Sequence, residues 1–259
     1  MALAELDGVS IHYQITGDSS LPTLVLSNSL GVNLAMWEPQ LNALASRFRL
    51  LRYDTRGHGR SSVPPGPYTI ADLGQDLLQL LDSLGIEQAI FCGLSMGGTL
   101  GQWLGVHTPK RLHKLILANT AARIGTAESW NTRIATVLQD GLRTIIPPTL
   151  ERWFTADFRA SHPEAVSGIE SMLQSADPQG YTASCAAIRD SDFRITVRQI
   201  DVSTLVIAGR DDMGTTPADG RFLAEHIAGS QYVELRAAHL SNVEAANEFN
   251  AAVLSFLGN

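Results

Sequence analysis

Short apolar runs alternate along the chain with longer segments whose apolar positions recur at helical spacing. This is the pattern of a sheet wound by crossover helices. The predicted strands are "VSIHYQI" (9–15), "TLVLSN" (23–28), "RLLRYD" (49–54), "QAIFCG" (88–93), "KLILAN" (114–119), "TLVIAG" (204–209) and "YVELR" (232–236). From the second onward the pattern predicts parallel pairing. Helical segments are predicted near 34–46, 70–84, 96–107, 217–228 and 242–257.

The rhythm changes between about 121 and 200, where "RIGTAESWNTRIATVLQDGLRTIIPPTLERWFTADF" and its continuation show helical periodicity without buried strands. The outer parts resume one sheet on either side. The expected organisation is therefore an α/β core in two parts, 1–120 and 201–259, interrupted by a helical cap over 121–200. No repeat or low-complexity tract is present, and "VPPGPY" (63–68) reads as a Pro/Gly loop.

Composition narrows the class of partner. With 259 residues, 44% of them apolar, the chain can bury a sizeable core. A formal charge of −7 and the lack of any Lys/Arg run argue against nucleic acid and against an anionic membrane surface, leaving small molecules as the expected partners. The segment "MALAELDGVSIHYQITG" has no basic stretch followed by an apolar one, and no window approaches the ~18 apolar residues of a membrane span. A cytoplasmic location is expected. Cys92 and Cys185 are expected to be buried thiols, since two cysteines in such a chain do not make a disulfide scaffold.

The first chemical signal is "AIFCGLSMGGTL" (89–100), in which Ser95 stands two residues after Gly93 and two before Gly97. A strand that turns abruptly into a helix at Ser95 holds that residue in a strained conformation, and side chains at the two flanking positions would collide with neighbouring elements. The glycines remove those collisions, leaving a nucleophile elbow with its hydroxyl at the carboxyl edge of the sheet.

A serine hydroxyl is a poor nucleophile at neutral pH, so it needs a base, and the base needs a carboxylate to orient it. His239, in "YVELRAAHLSNVEAANEF", lies just beyond the last predicted strand and is the candidate base. His58, in "DTRGHGRSS", is its rival, but it precedes the serine in a glycine-rich turn suited to shaping the rim. His12, His107, His113, His162 and His226 fall in strands, helices or the cap and read as structural or exposed. "GRDDMGTTP" offers two acids at the end of a strand. Asp212, three residues past Gly209, is the candidate; Asp211 is the alternative, suited also to capping the next helix or pairing with Arg210. The oxyanion hole requires two backbone amides, predicted at Met96 and, in the loop "SNSLGVNLAMW", at Leu30.

With the elbow "GLSMGG", "YDTRGHGRS", the acid loop "GRDD" and the terminal "AAHLSNVE", the chain resembles the α/β-hydrolase family over nearly its full length. It departs from most members by carrying Asn28-Ser29 where they have His-Gly in the oxyanion loop. That variant, together with "AAHLSNVEAANEFN", is similar to the 3-oxoadipate enol-lactonases of aromatic-compound degradation. The resemblance implies hydrolysis of a five-membered enol-lactone bearing an acetate arm to 3-oxoadipate, in the β-ketoadipate pathway. No cofactor is expected, and the histidines lack metal-ligand spacing such as H-E-x-x-H. The same residues would also suit another carboxylesterase, a carbon–carbon hydrolase of ring-cleavage products, or a ligand-binding receptor on this fold.

Within the predicted cap, "AESWNTRIATVLQDGL" sets Trp130, Ile134, Val137, Leu138 and Gly141 on one helical stripe with Arg133 at its edge. A guanidinium beside an apolar face suits a substrate carboxylate, which makes Trp130 and Arg133 the candidate substrate-binding pair. The plainer reading is that Arg133 reaches to solvent and Trp130 packs the cap on the core. Arg123, Arg143, Arg152, Arg159, Arg189 and Arg194 compete as anchors.

Overall fold

The computed structural model describes residues 2–258, and among these eight strands form one sheet. In chain order they are β1 (Ala2–Leu6), β2 (Val9–Thr16), β3 (Thr23–Ser27), β4 (Arg49–Tyr53), β5 (Ala89–Leu94), β6 (Leu112–Ala118), β7 (Thr204–Gly209) and β8 (Gln231–Leu235). Their lateral order is β1-β2-β4-β3-β5-β6-β7-β8. β2 pairs antiparallel with β1 and β4, while every pairing among β3 to β8 is parallel, as the sequence pattern predicts.

Both faces of the sheet are covered, which explains why its central strands read as unbroken apolar runs. Successive side chains go to opposite cores. On one face Val25, Phe91, Leu115, Leu117 and Val206 join α2 (Ile70–Ser83), α3 (Met96–His107) and Leu223 of α9 (Pro217–His226). On the other, Leu24, Leu26, Ile90, Cys92, Ile116 and Ile207 meet Leu44 of α1 (Glu38–Leu44) and Phe249 and Val253 of α11 (Ala246–Leu257).

Between β6 and β7, which are neighbours in the sheet, the chain runs through α4 (Ala127–Asp140), α5 (Ile146–Trp153), α6 (Ala156–Ser161), α7 (Pro163–Ser175) and α8 (Pro178–Arg189). This helical segment touches both cores. Tyr181, Cys185 and Ile188 of α8 join the first cluster; Trp153, Phe154 and Leu173 join the second. Cys92 and Cys185 are both free and buried, one in each cluster.

Three features depart from the pattern reading. β1 is a strand that periodicity does not reveal, because it is short and only half-buried at the sheet edge; its signal is the Asp7-Gly8 pair, a two-residue hairpin loop between Leu6 and Val9. The helix expected over 34–46 is a 3₁₀ turn (Leu34–Trp37) followed by α1, with Pro39 at the start of the second piece. The helix expected over 242–257 divides at Ala245, whose φ of −120° and ψ of 49° are not helical and separate α10 (Ser241–Glu244) from α11.

Candidate active site

Parallel strands end on the same edge of a sheet, and the chemistry-bearing residues gather there. At the end of β5, Ser95 has φ 58° and ψ −111°, outside the regions an ordinary serine occupies. Its backbone is fixed by hydrogen bonds from its amide to the Ala118 carbonyl (3.0 Å) and from the Thr120 hydroxyl to its own carbonyl (2.9 Å). The flanking glycines are sterically required. A Cβ on Gly93 would lie 2.1 Å from the Gly97 carbonyl oxygen, and one on Gly97 would lie 2.3 Å from that of Ser27.

His239 stands in the loop after β8 and Asp212 in the loop after β7. The imidazole Nδ1–H donates to Asp212 Oδ2 at 2.8 Å. A carboxylate can only accept, so the proton resides on Nδ1 and Nε2 is left as a base. Asp212 is buried. Burial pushes its pKa up, but the His239 charge and hydrogen bonds from His239, Asn119 and Thr215 outweigh that and hold the carboxyl well below the usual carboxylate range. Asn119 Nδ2 and the Thr215 hydroxyl reach Oδ2 at 3.0 and 2.7 Å, and the Gly214 and Thr215 amides reach Oδ1 at 2.8 and 3.0 Å. Asp211 takes no part: it is exposed and lies 3.4 Å from the Arg210 guanidinium.

The histidine loop is itself clamped. Glu244 accepts from the Ala238 amide at 2.9 Å and from the hydroxyl of Thr155 in the helical segment, Leu240 donates its amide to the Trp153 carbonyl, and the Trp153 ring stacks beside His239 with centroids 5.9 Å apart.

Leu30 and Met96 are buried, and their amides have no acceptor among the described residues. The amides on either side of each are bonded. Ser29 donates to Met36 Sδ (3.4 Å), Gly31 to His58 Nε2 (2.9 Å), Ser95 to the Ala118 carbonyl and Gly97 to the Asn28 carbonyl (3.0 Å). A buried unbonded N–H is costly unless a ligand completes it, so these two amides are left available to an incoming oxygen.

Ser29, Leu30, Ser95, Asp212 and His239 line one cavity of about 460 Å³, whose other walls include Ile124, Trp130, Arg133, Arg152, Trp153 and Ile188. The indole N–H of Trp130 donates to the Ile124 carbonyl at 2.7 Å, leaving the ring as wall. Arg133 donates from Nε to the Tyr181 hydroxyl (2.6 Å) and from Nη2 to Thr149 Oγ1 (2.9 Å). Arg152 Nη2 lies 3.5 Å from the same threonine oxygen, and burial together with the neighbouring Arg133 charge pushes its pKa down. Among the described residues neither guanidinium has a carboxylate partner, whereas Arg123 faces Asp192, Arg189 pairs with Asp190 and Arg194 with Asp192. Two close cations with neutral partners are an unbalanced charge that an anion would relieve.

The structure thus brings Ser95, Asp212, His239, Leu30, Trp130 and Arg133 to one cavity; Met96 follows Ser95 at the start of α3 and is not among the residues that line it. His58 lies outside its wall, beneath the loop after β3. His12 is buried against Asp54 at 2.7 Å. Sequence reasoning left Arg152 among the competitors and did not single out Asn119, Thr215 or Trp153. Asn119 carried a signal in its place at a strand end, where it adopts a positive φ of 42°.

The chain belongs to the α/β-hydrolase family: the family's sequence model, described as the alpha/beta hydrolase fold, matches residues 22–246. More particularly, it is 46% identical to the 3-oxoadipate enol-lactonase 2 of Acinetobacter baylyi, over 95% of this chain and 92% of that protein. The crystal structure of the enol-lactonase from Burkholderia xenovorans LB400 superposes with a TM-score of 0.97 at 46% identity, covering 99% of both chains. A thermophilic esterase from Thermogutta terrifontis, solved with malate bound, gives 0.90 at 29% identity, covering 96% of this chain and 93% of that one.

Proposed function

We propose that this protein is a serine hydrolase that opens 3-oxoadipate enol-lactone, a small lactone carrying a carboxylate, to 3-oxoadipate in the β-ketoadipate pathway. The observation that carries the reading is the coincidence, in one cavity, of Ser95, a His239–Asp212 pair, Leu30 with its unbonded amide, and two arginines that among the described residues lack a carboxylate partner. The enol-lactonase relatives support the substrate class.

In this reading His239 Nε2 takes the proton of Ser95 as its oxygen attacks the lactone carbonyl. The Leu30 and Met96 amides receive the developing oxyanion, and Asp212 stays ionised to stabilise the imidazolium. Collapse breaks the ring C–O bond, leaving an acyl group on Ser95 and an enolate that takes the proton from His239. An enolate is less basic than an alkoxide, and the freed enol becomes a ketone, so ring opening is favoured at both stages. Water deprotonated by His239 then releases the acid and restores Ser95. The helical segment over 121–200 serves as a cap, with Arg133 and Arg152 holding the substrate carboxylate against the Trp130 wall.

A hydrolysis screen tests this. Wild-type enzyme should prefer the enol-lactone acid over aryl esters and over its neutral methyl ester, and Ser95→Ala should retain less than about a thousandth of the turnover. Arg133→Ala and Arg152→Ala should each cut kcat/KM for the lactone acid by about 30-fold or more, as expected when a buried carboxylate loses its cation, with little effect on a neutral ester of similar size. A wild-type preference for the neutral ester would sink the lactonase reading.

A further inference from the structure

The loop that carries the Leu30 amide, residues 28–34, is fastened on both sides of that residue. Before it, Asn28 donates its amide to the Tyr53 carbonyl (2.9 Å) and accepts from the Trp37 indole (2.9 Å). After it, both fastenings come from the turn that follows β4: the Gly31 amide donates to His58 Nε2 at 2.9 Å, and the Leu34 amide to Asp54 Oδ1 at 2.8 Å. Asp54 is held in turn by His12 and by the Arg60 amide. The turn is a brace under the loop.

The protonation state of His58 follows from its partners. Its Nδ1 faces the Arg56 carbonyl oxygen at 3.1 Å, an acceptor only, so the proton resides there and the Nε2 lone pair receives the Gly31 N–H. Only the neutral ring makes both bonds. Burial pushes the imidazole pKa down, in keeping with that form.

The Gly31 N–H belongs to the peptide plane that follows Leu30, so its bond to His58 fixes the rotation of the chain at Leu30 itself. The other neighbour offers little restraint, since the Ser29 amide has only a thioether acceptor. We propose that His58 is a positioning residue for the hydrolysis, its imidazole acting through Gly31 to aim the Leu30 amide at the oxyanion. The proposal rests on the assignment of the Leu30 amide made above.

The test compares His58→Gln, His58→Asn and His58→Ala, each checked for folding by circular dichroism, on an aryl ester that the wild-type enzyme turns over. An amide oxygen on glutamine reaches the place of Nε2, whereas one on asparagine reaches only the place of Nδ1. Asparagine and alanine should lower kcat by about 10- to 100-fold, part of the ~10²–10³ that losing a whole oxyanion donor costs, while KM stays within about twofold. Glutamine should recover kcat to within about fivefold of wild type. Binding of a boronic acid, which forms a tetrahedral adduct on the serine, should weaken in step with kcat, and binding of the carboxylic acid product should not.

Equal losses for glutamine and asparagine, a KM that rises as kcat falls, or unchanged kcat in all variants would each overturn the role. Should alanine fail to fold, the glutamine–asparagine pair decides alone. Ser95→Ala runs alongside: wild-type turnover there would overturn the serine-hydrolase reading itself, a result separable from any outcome at His58.

Discussion

Burial pushes the pKa of the Asp212 carboxyl up. The imidazole, with hydrogen bonds from Asn119 and Thr215, outweighs that, so the group acts as an acceptor only and the ring beside it has one available tautomer. Asp212→Asn should therefore reduce kcat by about 10⁴, because an amide can donate to Nδ1 and so place the ring proton on Nε2, the nitrogen that the proposed mechanism uses as base. Asp211→Asn, at an exposed ion pair, should stay within about threefold; kcat on a neutral ester, with circular dichroism to show that both variants fold, checks the pair. Residues of this kind differ in how far sequence reveals them. Ser95 is bracketed by glycines and His239 stands just past a strand, so local pattern points to both; for the acid it leaves Asp211 as an alternative to Asp212, and the hydrogen bond to His239 decides between them. The role proposed for Leu30 belongs to a backbone amide, which has no side-chain signature, so only its place in the loop after β3 points to it. Arg152 looked like its competitors because what distinguishes it is a missing partner, and partners are settled only when the helices have packed.

At the scale of elements, the turn from β5 into α3 is where steric demand is sharpest. The approach of Gly97 to β3 leaves no room for a methyl group, so Gly97→Ala must push the helix start away from the strand and carry Ser95 with it. It should destabilise the fold by about 1–3 kcal/mol, read from the denaturant midpoint, and lose most activity. At Gly168, exposed within α7, a methyl group would meet no atom of the described residues within 4 Å outside its own helix. Gly168→Ala should therefore stabilise by about 0.5–1 kcal/mol through the helix preference for alanine and leave turnover alone. The same substitution takes opposite signs because one glycine answers to a neighbouring strand and the other only to its own helix. The sequence showed the first need, since glycines two residues either side of a serine are a local pattern. It did not show β1, whose residues are too few and too exposed to alternate clearly.

Taken whole, the molecule has two apolar clusters separated by one sheet, and the helical segment between β6 and β7 is built into both. That arrangement was only partly readable, since periodicity gives helices and strands but not which cluster each helix joins. It also leaves a thiol on either side of the sheet. Cys92 sits in a central strand and Cys185 in α8, and burial raises both thiol pKa values, that of Cys185 to about 12. Neither should react with an aromatic disulfide reagent in the native protein, because the attacking species is the thiolate and the sulfur must be reachable. The two sulfurs are in effect a pair of resident clocks, one for each side of the sheet. If the clusters collapse and open as one unit, both must become reactive at the same denaturant concentration, coincident with the loss of helical circular dichroism. Mass spectrometry of the labelled protein would then find species carrying none or two tags and few carrying one; a population tagged at Cys185 alone would mean that the helices can lift away while the strands still hold.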